Sequence, residues 1–132
     1  MKLTYGVSIF CLLALTAVEI TGVAFAEDYG PFKETETSAG KVLVDAKGMT
    51  LYTFDKDTSG KSNCSGQCAV NWPPAMAADT DKPVGDLTII KRDDGMMQWA
   101  HDGKPLYTFK NDMKAGDVTG DGKNDVWHVV KD

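Results

Sequence analysis

The sequence predicts a mostly β protein, a small sandwich or partly open barrel built from two related hairpin repeats with little helix. Three observations predict it. The phrase "GMTLYTFDKD" at residues 48–57 returns as "GKPLYTFKND" at residues 103–112, with Gly, Leu, Tyr, Thr, Phe and the final Asp in the same places. Runs rich in β-branched and aromatic residues are separated by short connections bearing Gly and Asp, the pattern of strands and hairpins. No segment carries a long helical period.

The chain opens with Lys2, an apolar run from Gly6 to Val18 and an Ala24-Phe25-Ala26 ending, which together read as a secretory signal peptide, residues 1–26. The run falls short of the roughly 20 apolar residues a spanning helix needs, and Glu19 interrupts it, so no membrane span is expected after cleavage. Cys11 lies inside the run without the context of a lipid attachment site, so lipid anchoring is not expected. Residues 27–40, "EDYGPFKETETSAG", are polar and lack an apolar period, which reads as a flexible arm. A single β domain is expected over residues 41–132, with repeat one at about 41–78 and repeat two at about 86–132.

Within that domain, "KVLVD", the turn "AKG" and "MTLYTF" form one expected hairpin; "MMQWA", the turn at Asp102-Gly103 and "LYTF" form the second. "LTIIKR" reads as a strand preceding the second hairpin, and "DVWHVV" as the closing strand. The best helical stretch is a turn or two near "CSGQCAV", ended by Pro73 and Pro74, because proline cannot continue a helix. The offset of 55 that superposes the two phrases also carries Trp72 onto Trp127, so the duplicated unit spans at least 25 residues.

Side chains alternate along a strand, so Tyr52 and Phe54 share one face, and Tyr107 and Phe109 repeat the arrangement. Turned inward, these rings from two pseudo-symmetric hairpins meet in one core. Turned outward, they would line an aromatic and acidic pocket for sugars or cations. Asp57 and Asp112 follow the strands, where a carboxylate can accept from loop N–H groups and fix the exit of the chain.

These residues carry a resemblance. Tyr52, Phe54, Asp57 and Tyr107, Phe109, Asp112 resemble the bacterial secreted and lipoprotein repeat family defined by Tyr, any residue, an aromatic, two residues and Asp. "CSGQCAVNWPP" and the closing "VWHVV" are similar to that family's text as well. The resemblance implies an extracytoplasmic, periplasmic or extracellular location, a possible envelope component, and no agreed biochemical activity. The chain departs from many members in lacking a lipidation cysteine at the cleavage point.

Net charge is −5 with acidic and basic residues interspersed, which makes nucleic acid and anionic lipid poor partners; no other partner is indicated. Cys64 and Cys68 survive signal cleavage and enter an oxidising compartment, where a short-range structural disulfide is expected. A copper site is the alternative for the same pair, completed by His101 or His128 and assisted by Met96, Met97 or Met113. The loop from Asp117 to His128 approaches a calcium-binding pattern, with Asp117, Thr119, Asp121 and Asp125 at ligand positions, but His128 stands where a bidentate Glu belongs. A plain Gly- and Asp-rich turn is the competing reading. No nucleophile with an adjacent base is visible, so a non-enzymatic binding or structural module is expected.

Overall fold

A computed structural model describes residues 29–131, so the expected signal peptide lies outside the described residues. Seven strands make up most of the regular structure: β1 (Lys33–Thr37), β2 (Gly40–Val44), β3 (Tyr52–Phe54), β4 (Leu87–Lys91), β5 (Met97–His101), β6 (Lys104–Pro105) and β7 (Trp127–Val129). Among the described residues they pair antiparallel in three small sheets, β1-β2, β3-β7 and β4-β5-β6, and no barrel closes. One short helix, α1 (Gln67–Asn71), lies in the first loop, and Pro73 and Pro74 follow it.

The stretch expected as a flexible arm differs from expectation: residues 33–37 form β1, paired along its whole length with β2, Lys33 opposite Val44 and Thr37 opposite Gly40. "KETET" shows no apolar alternation because none of its five residues is fully buried; its backbone pairing, not its side chains, holds it.

The two expected hairpins form, and they differ in their turns. In the second, Asp102 and Gly103 alone connect His101 to Lys104, both with positive φ (52° and 82°), the conformation a tight two-residue turn requires. In the first, three residues loop between Asp45 and Met49, held by the Asp45 carboxylate, whose Oδ1 accepts from the N–H groups of Lys47 and Met49 at 2.9 Å.

The repeats are interlocked rather than side by side. The backbones of Tyr52 and Tyr107 exchange two hydrogen bonds, N–H to C=O at 2.8 and 3.0 Å, which marks the local pseudo-twofold. β7, the tail of the second repeat, pairs with β3 of the first: Tyr52 opposite Val129 and Phe54 opposite Trp127. The tail of the first repeat returns the pairing, with Pro74 bridged to Tyr107 and Thr108 N–H donating to the Pro73 carbonyl at 2.8 Å. Ala75 and Val130, 55 apart, occupy matching places, each donating its N–H to a leucine carbonyl of the other repeat, Leu106 and Leu51. The segment after α1 thus runs back along the second repeat, bridged at Pro74 to Tyr107 and at Met76 to Gln98.

Two cores result, one on each face of the central strands. Leu43, Leu51, Leu87, Trp99, Leu106 and Val130 fill one. Tyr52, Cys64, Trp72, Tyr107, Phe109 and Trp127 fill the other, with Phe54 packed against it. Its centre is a column of four rings in the order Phe54, Trp127, Trp72, Phe109, with centroid spacings of 4.2, 3.8 and 4.0 Å and interplanar angles of 20° or less. Each phenylalanine stacks on the tryptophan of the other repeat. Tyr52 meets Trp72 edge-on at 5.3 Å, and Tyr107 meets Trp127 edge-on at 5.2 Å. Such ring pairs contribute about 0.5–1.5 kcal/mol each beyond the area they bury.

The column is sealed at one end only. Phe109 is 5% exposed, with Lys123 Nζ lying 5.9 Å from its centroid, whereas Phe54 is only half-buried. Gly120 makes the sealed end possible, since a Cβ there would stand 2.7 Å from Trp72 and 3.0 Å from Phe109. Gly120→Ala is therefore expected to overpack the column and lower stability by about 1–3 kcal/mol. Chemical unfolding followed by tryptophan fluorescence measures it; an unchanged midpoint means that the rings are not held at this spacing.

Candidate functional site

The six residues of the repeated motif come together, and they do so across the repeats. Tyr52 donates its hydroxyl proton to Oδ2 of Asp112 at 2.6 Å, and Tyr107 donates to Oδ2 of Asp57 at 2.7 Å. The other oxygen of each carboxylate holds its own loop: Oδ1 of Asp57 accepts from Asn63 N–H at 2.6 Å, and Oδ1 of Asp112 accepts from Thr119 N–H at 2.9 Å and from its hydroxyl. Loop N–H capture by the aspartates is what their position after the strand suggests; the tyrosine of the opposite repeat is the partner that local spacing does not reveal.

Each phenol oxygen also accepts. Gly120 N–H donates to Tyr52 at 3.1 Å. Because the Tyr107 proton goes to Asp57, Ser62 donates to the Tyr107 oxygen at 2.6 Å, and Ser62 in turn accepts from Arg92 Nη1 at 2.9 Å. Arg92 is buried; it also donates to Gln98 Oε1 at 2.8 Å and to the Cys64 carbonyl at 2.7 Å. A guanidinium with this many partners ties β4, β5 and the cysteine loop into one charge-assisted network. Nothing in "LTIIKR" distinguishes Arg92 from an ordinary strand-end cation before the tertiary pairing is known.

Electrostatics follow burial. Burial pushes both phenols far above their ordinary value of 10.0, and the neighbouring carboxylates Asp112 and Asp57 push the same way. Burial also raises Asp57 above 3.8, against the pull of Asn63 N–H, the Tyr107 hydroxyl and Arg92. The Asp57 charge therefore costs stability at neutral pH, a cost relieved as pH falls through its folded pKa toward 3.8.

Cys64 and Cys68 form a disulfide, with Cα atoms 5.2 Å apart. Cys64 is fully buried in the aromatic core beside the ring column. Bonded to each other, these sulfurs offer no thiolate to copper, and the two histidines lie elsewhere, along a separate cleft. Met113 is 82% exposed and Met96 52% exposed, both at the surface.

In the second loop the calcium-like residues turn to local tasks. Asp117 accepts from the N–H groups of Met113 and Lys114, contacts that hold its carboxyl below the usual range. Thr119 binds Asp112, Asp121 Oδ1 accepts from Val129 N–H at 3.1 Å, and Asp125 sits in a 3₁₀ turn with φ 62°. Among the described residues, Asp117, Asp121 and Asp125 do not gather as a cation cage.

The histidines flank an open cleft of about 450 Å³. Thr53 and Asp55 enter it from the first repeat; His101, Asp102, Lys104, Asp121, His128 and Lys131 enter from the second. β7 aligns His128 opposite Thr53, and its Nε2 lies 2.8 Å from Asp55 Oδ2. Trp127 faces the core while His128 faces the cleft, as strand alternation requires. A smaller cleft of about 220 Å³ lies alongside, with the half-buried Phe54 in its wall. Sequence reasoning missed Asp55 and Thr53, although strand alternation would have placed both on the face opposite Phe54.

Two outcomes test this arrangement. Tyr52→Phe removes a buried hydrogen bond to a charged acceptor and is expected to cost about 1.5–3 kcal/mol; Tyr107→Phe is expected to cost a similar amount. A loss under 0.5 kcal/mol in both, by urea unfolding, would refute a structural role for the pairs. At high pH, the folded-state pKa values of Tyr52 and Tyr107 stand above the unfolded value of 10.0, so their contribution is intact below that pH and is lost as pH rises beyond it. Tyrosinate absorbance is expected to rise for these two only together with loss of the fold.

Compared with known proteins, the chain matches one family twice, over residues 33–76 and 88–131. No curated protein and no solved structure matches it. Among the described residues no helix is long and apolar enough to cross a membrane. The two matched segments are the two interlocked units of the fold, and the chain belongs to the family described as a secreted repeat of unknown function.

Proposed function

We propose that the chain is a non-enzymatic binding module working outside the cytoplasm, and that its working surface is the cleft shared by the two repeats. One observation carries this reading: the tyrosines and aspartates of the motif are committed to one another, while the cleft collects ionisable side chains of both signs, drawn from both copies. Asp55 and Thr53 meet His128 only because β7 is exchanged onto β3, so the cleft exists only in the assembled pair of repeats.

Carboxylates at Asp55 and Asp102 and ammonium groups at Lys104 and Lys131 suit a small polar solute bearing both charges. An apolar ligand would leave these groups desolvated without partners. Periplasmic residence, within the broader secreted description, suits such a solute-binding role.

Titrating isotope-labelled protein with free amino acids, which carry both charges, tests the proposal by NMR. Saturable shifts at Thr53, Asp55, Lys104 and His128 are expected, and Asp55→Asn is expected to weaken them. Shifts centred on the Phe54–Trp127 column, or no shift at millimolar solute, would overturn the assignment.

A further inference from the structure

The β4–β5 register pairs Leu87 with His101. The residue before one strand, Asp86, therefore lies beside the residue after the other, Asp102, whose N–H donates to the Asp86 carbonyl at 2.9 Å. One donor atom from each of Asp86, His101 and Asp102 lies within 4.8 Å of the other two. Both aspartates are exposed and free to adjust, whereas His101 is held in the strand and only 7% exposed.

The nine-tenths-buried imidazole faces Asp102 through its Nδ1. Its Nε2 is buried without a hydrogen-bond partner among the described residues. Its Nδ1 stands 3.8 Å from Asp102 Oδ2, too far for a hydrogen bond. A buried histidine normally satisfies its ring nitrogens, and one that does not needs a reason beyond packing.

We propose that Asp86, His101 and Asp102 form a binding site for a divalent transition-metal ion of the zinc class. One imidazole nitrogen and two carboxylates suit such an ion, whose ligand distances of about 2.0–2.2 Å are reached by rotating the two exposed aspartates onto the fixed imidazole. Imidazole selects against calcium and magnesium, which prefer all-oxygen sets. Three protein ligands leave a fourth position open to water or to a ligand donor.

The fold itself does not demand this trio. At the matching places, 55 residues earlier, repeat one has Pro31, Ala46 and Lys47. The three-residue turn of the first hairpin also leaves Ala46 in the loop, whereas the two-residue turn of the second keeps His101 in its strand. The site is therefore an addition to one copy; His101 and Asp102 also line the cleft proposed for a solute, but metal binding does not require that cleft to take one.

Calorimetric titration of the disulfide-bonded protein with Zn²⁺ alone tests it, together with the double variant Asp86→Asn, Asp102→Asn. Asparagine keeps the side-chain size and tolerates the positive φ at position 102, so the turn survives; an unchanged melting temperature in chelator verifies this. One Zn²⁺ per chain is expected, with the ring resonances of His101 shifting and those of His128 unmoved. Loss of an outer partner of a metal ligand alone weakens binding by about 10- to 100-fold, so the double variant is expected to lose at least that much. No binding below millimolar Zn²⁺, wild-type affinity in the double variant, or a response at His128 in place of His101 would each overturn the site.

Discussion

Each tyrosine of the repeated phrase gives its proton to the carboxylate of the other copy, and the rest of the molecule is arranged around that reciprocity. A buried phenol and a buried carboxylate are each costly alone; together, with loop N–H groups on the remaining oxygen, every polar atom of the pair is answered. The geometry also fixes the loops. Asp57 cannot reach Tyr107 unless the cysteine loop is drawn in through Asn63, and Asp112 cannot reach Tyr52 unless Thr119 closes the second loop in the same way. Conformation is thus transmitted from strand to loop by two carboxylates.

The aromatic column uses the same logic in apolar form. Tryptophan 72 and tryptophan 127 stack on each other at the pseudo-axis, and each is covered by the phenylalanine of the opposite copy. Symmetry fails where the loops fail to match. Gly120, against the second Phe–Trp pair, has Ser65 as its counterpart 55 residues earlier, so only one end of the column is closed by a backbone without a side chain. Likewise a disulfide fixes the first loop, where the second relies on aspartate-to-backbone hydrogen bonds. Closing so short a covalent ring restricts the unfolded chain by only about 2 kcal/mol, which makes it a local constraint secondary to the rings.

Much of the fold was legible because it is local. Turn residues announced both hairpins, alternation announced that the aromatics of each copy share a face, and two cysteines in an oxidising compartment pointed to their bond. What stayed hidden depends on pairing between distant segments. Tyr52 has a carboxylate five residues away in its own copy and an equivalent one in the other, and spacing alone cannot choose between them. Pro73 and Pro74, legible only as the end of a helical stretch, hid the cross-repeat pairing, in which Pro74 forms an isolated bridge, a place that tolerates the missing N–H. Phe54 is less deeply buried than Phe109, because its end of the column has no equivalent of Gly120. The candidate sites were least legible of all: Asp86 is an unremarked turn residue until Leu87 is known to face His101.

The mutual exchange of tail segments bears on ancestry. A peptide holding one copy would leave its hairpin short of an edge partner and its phenol short of an acceptor, yet two such peptides would supply each other through a rotationally symmetric homodimer. Fusing the genes of that dimer removes its dependence on concentration. It also frees the halves to diverge, so that one could acquire cysteines and the other a histidine without either having to suit both positions.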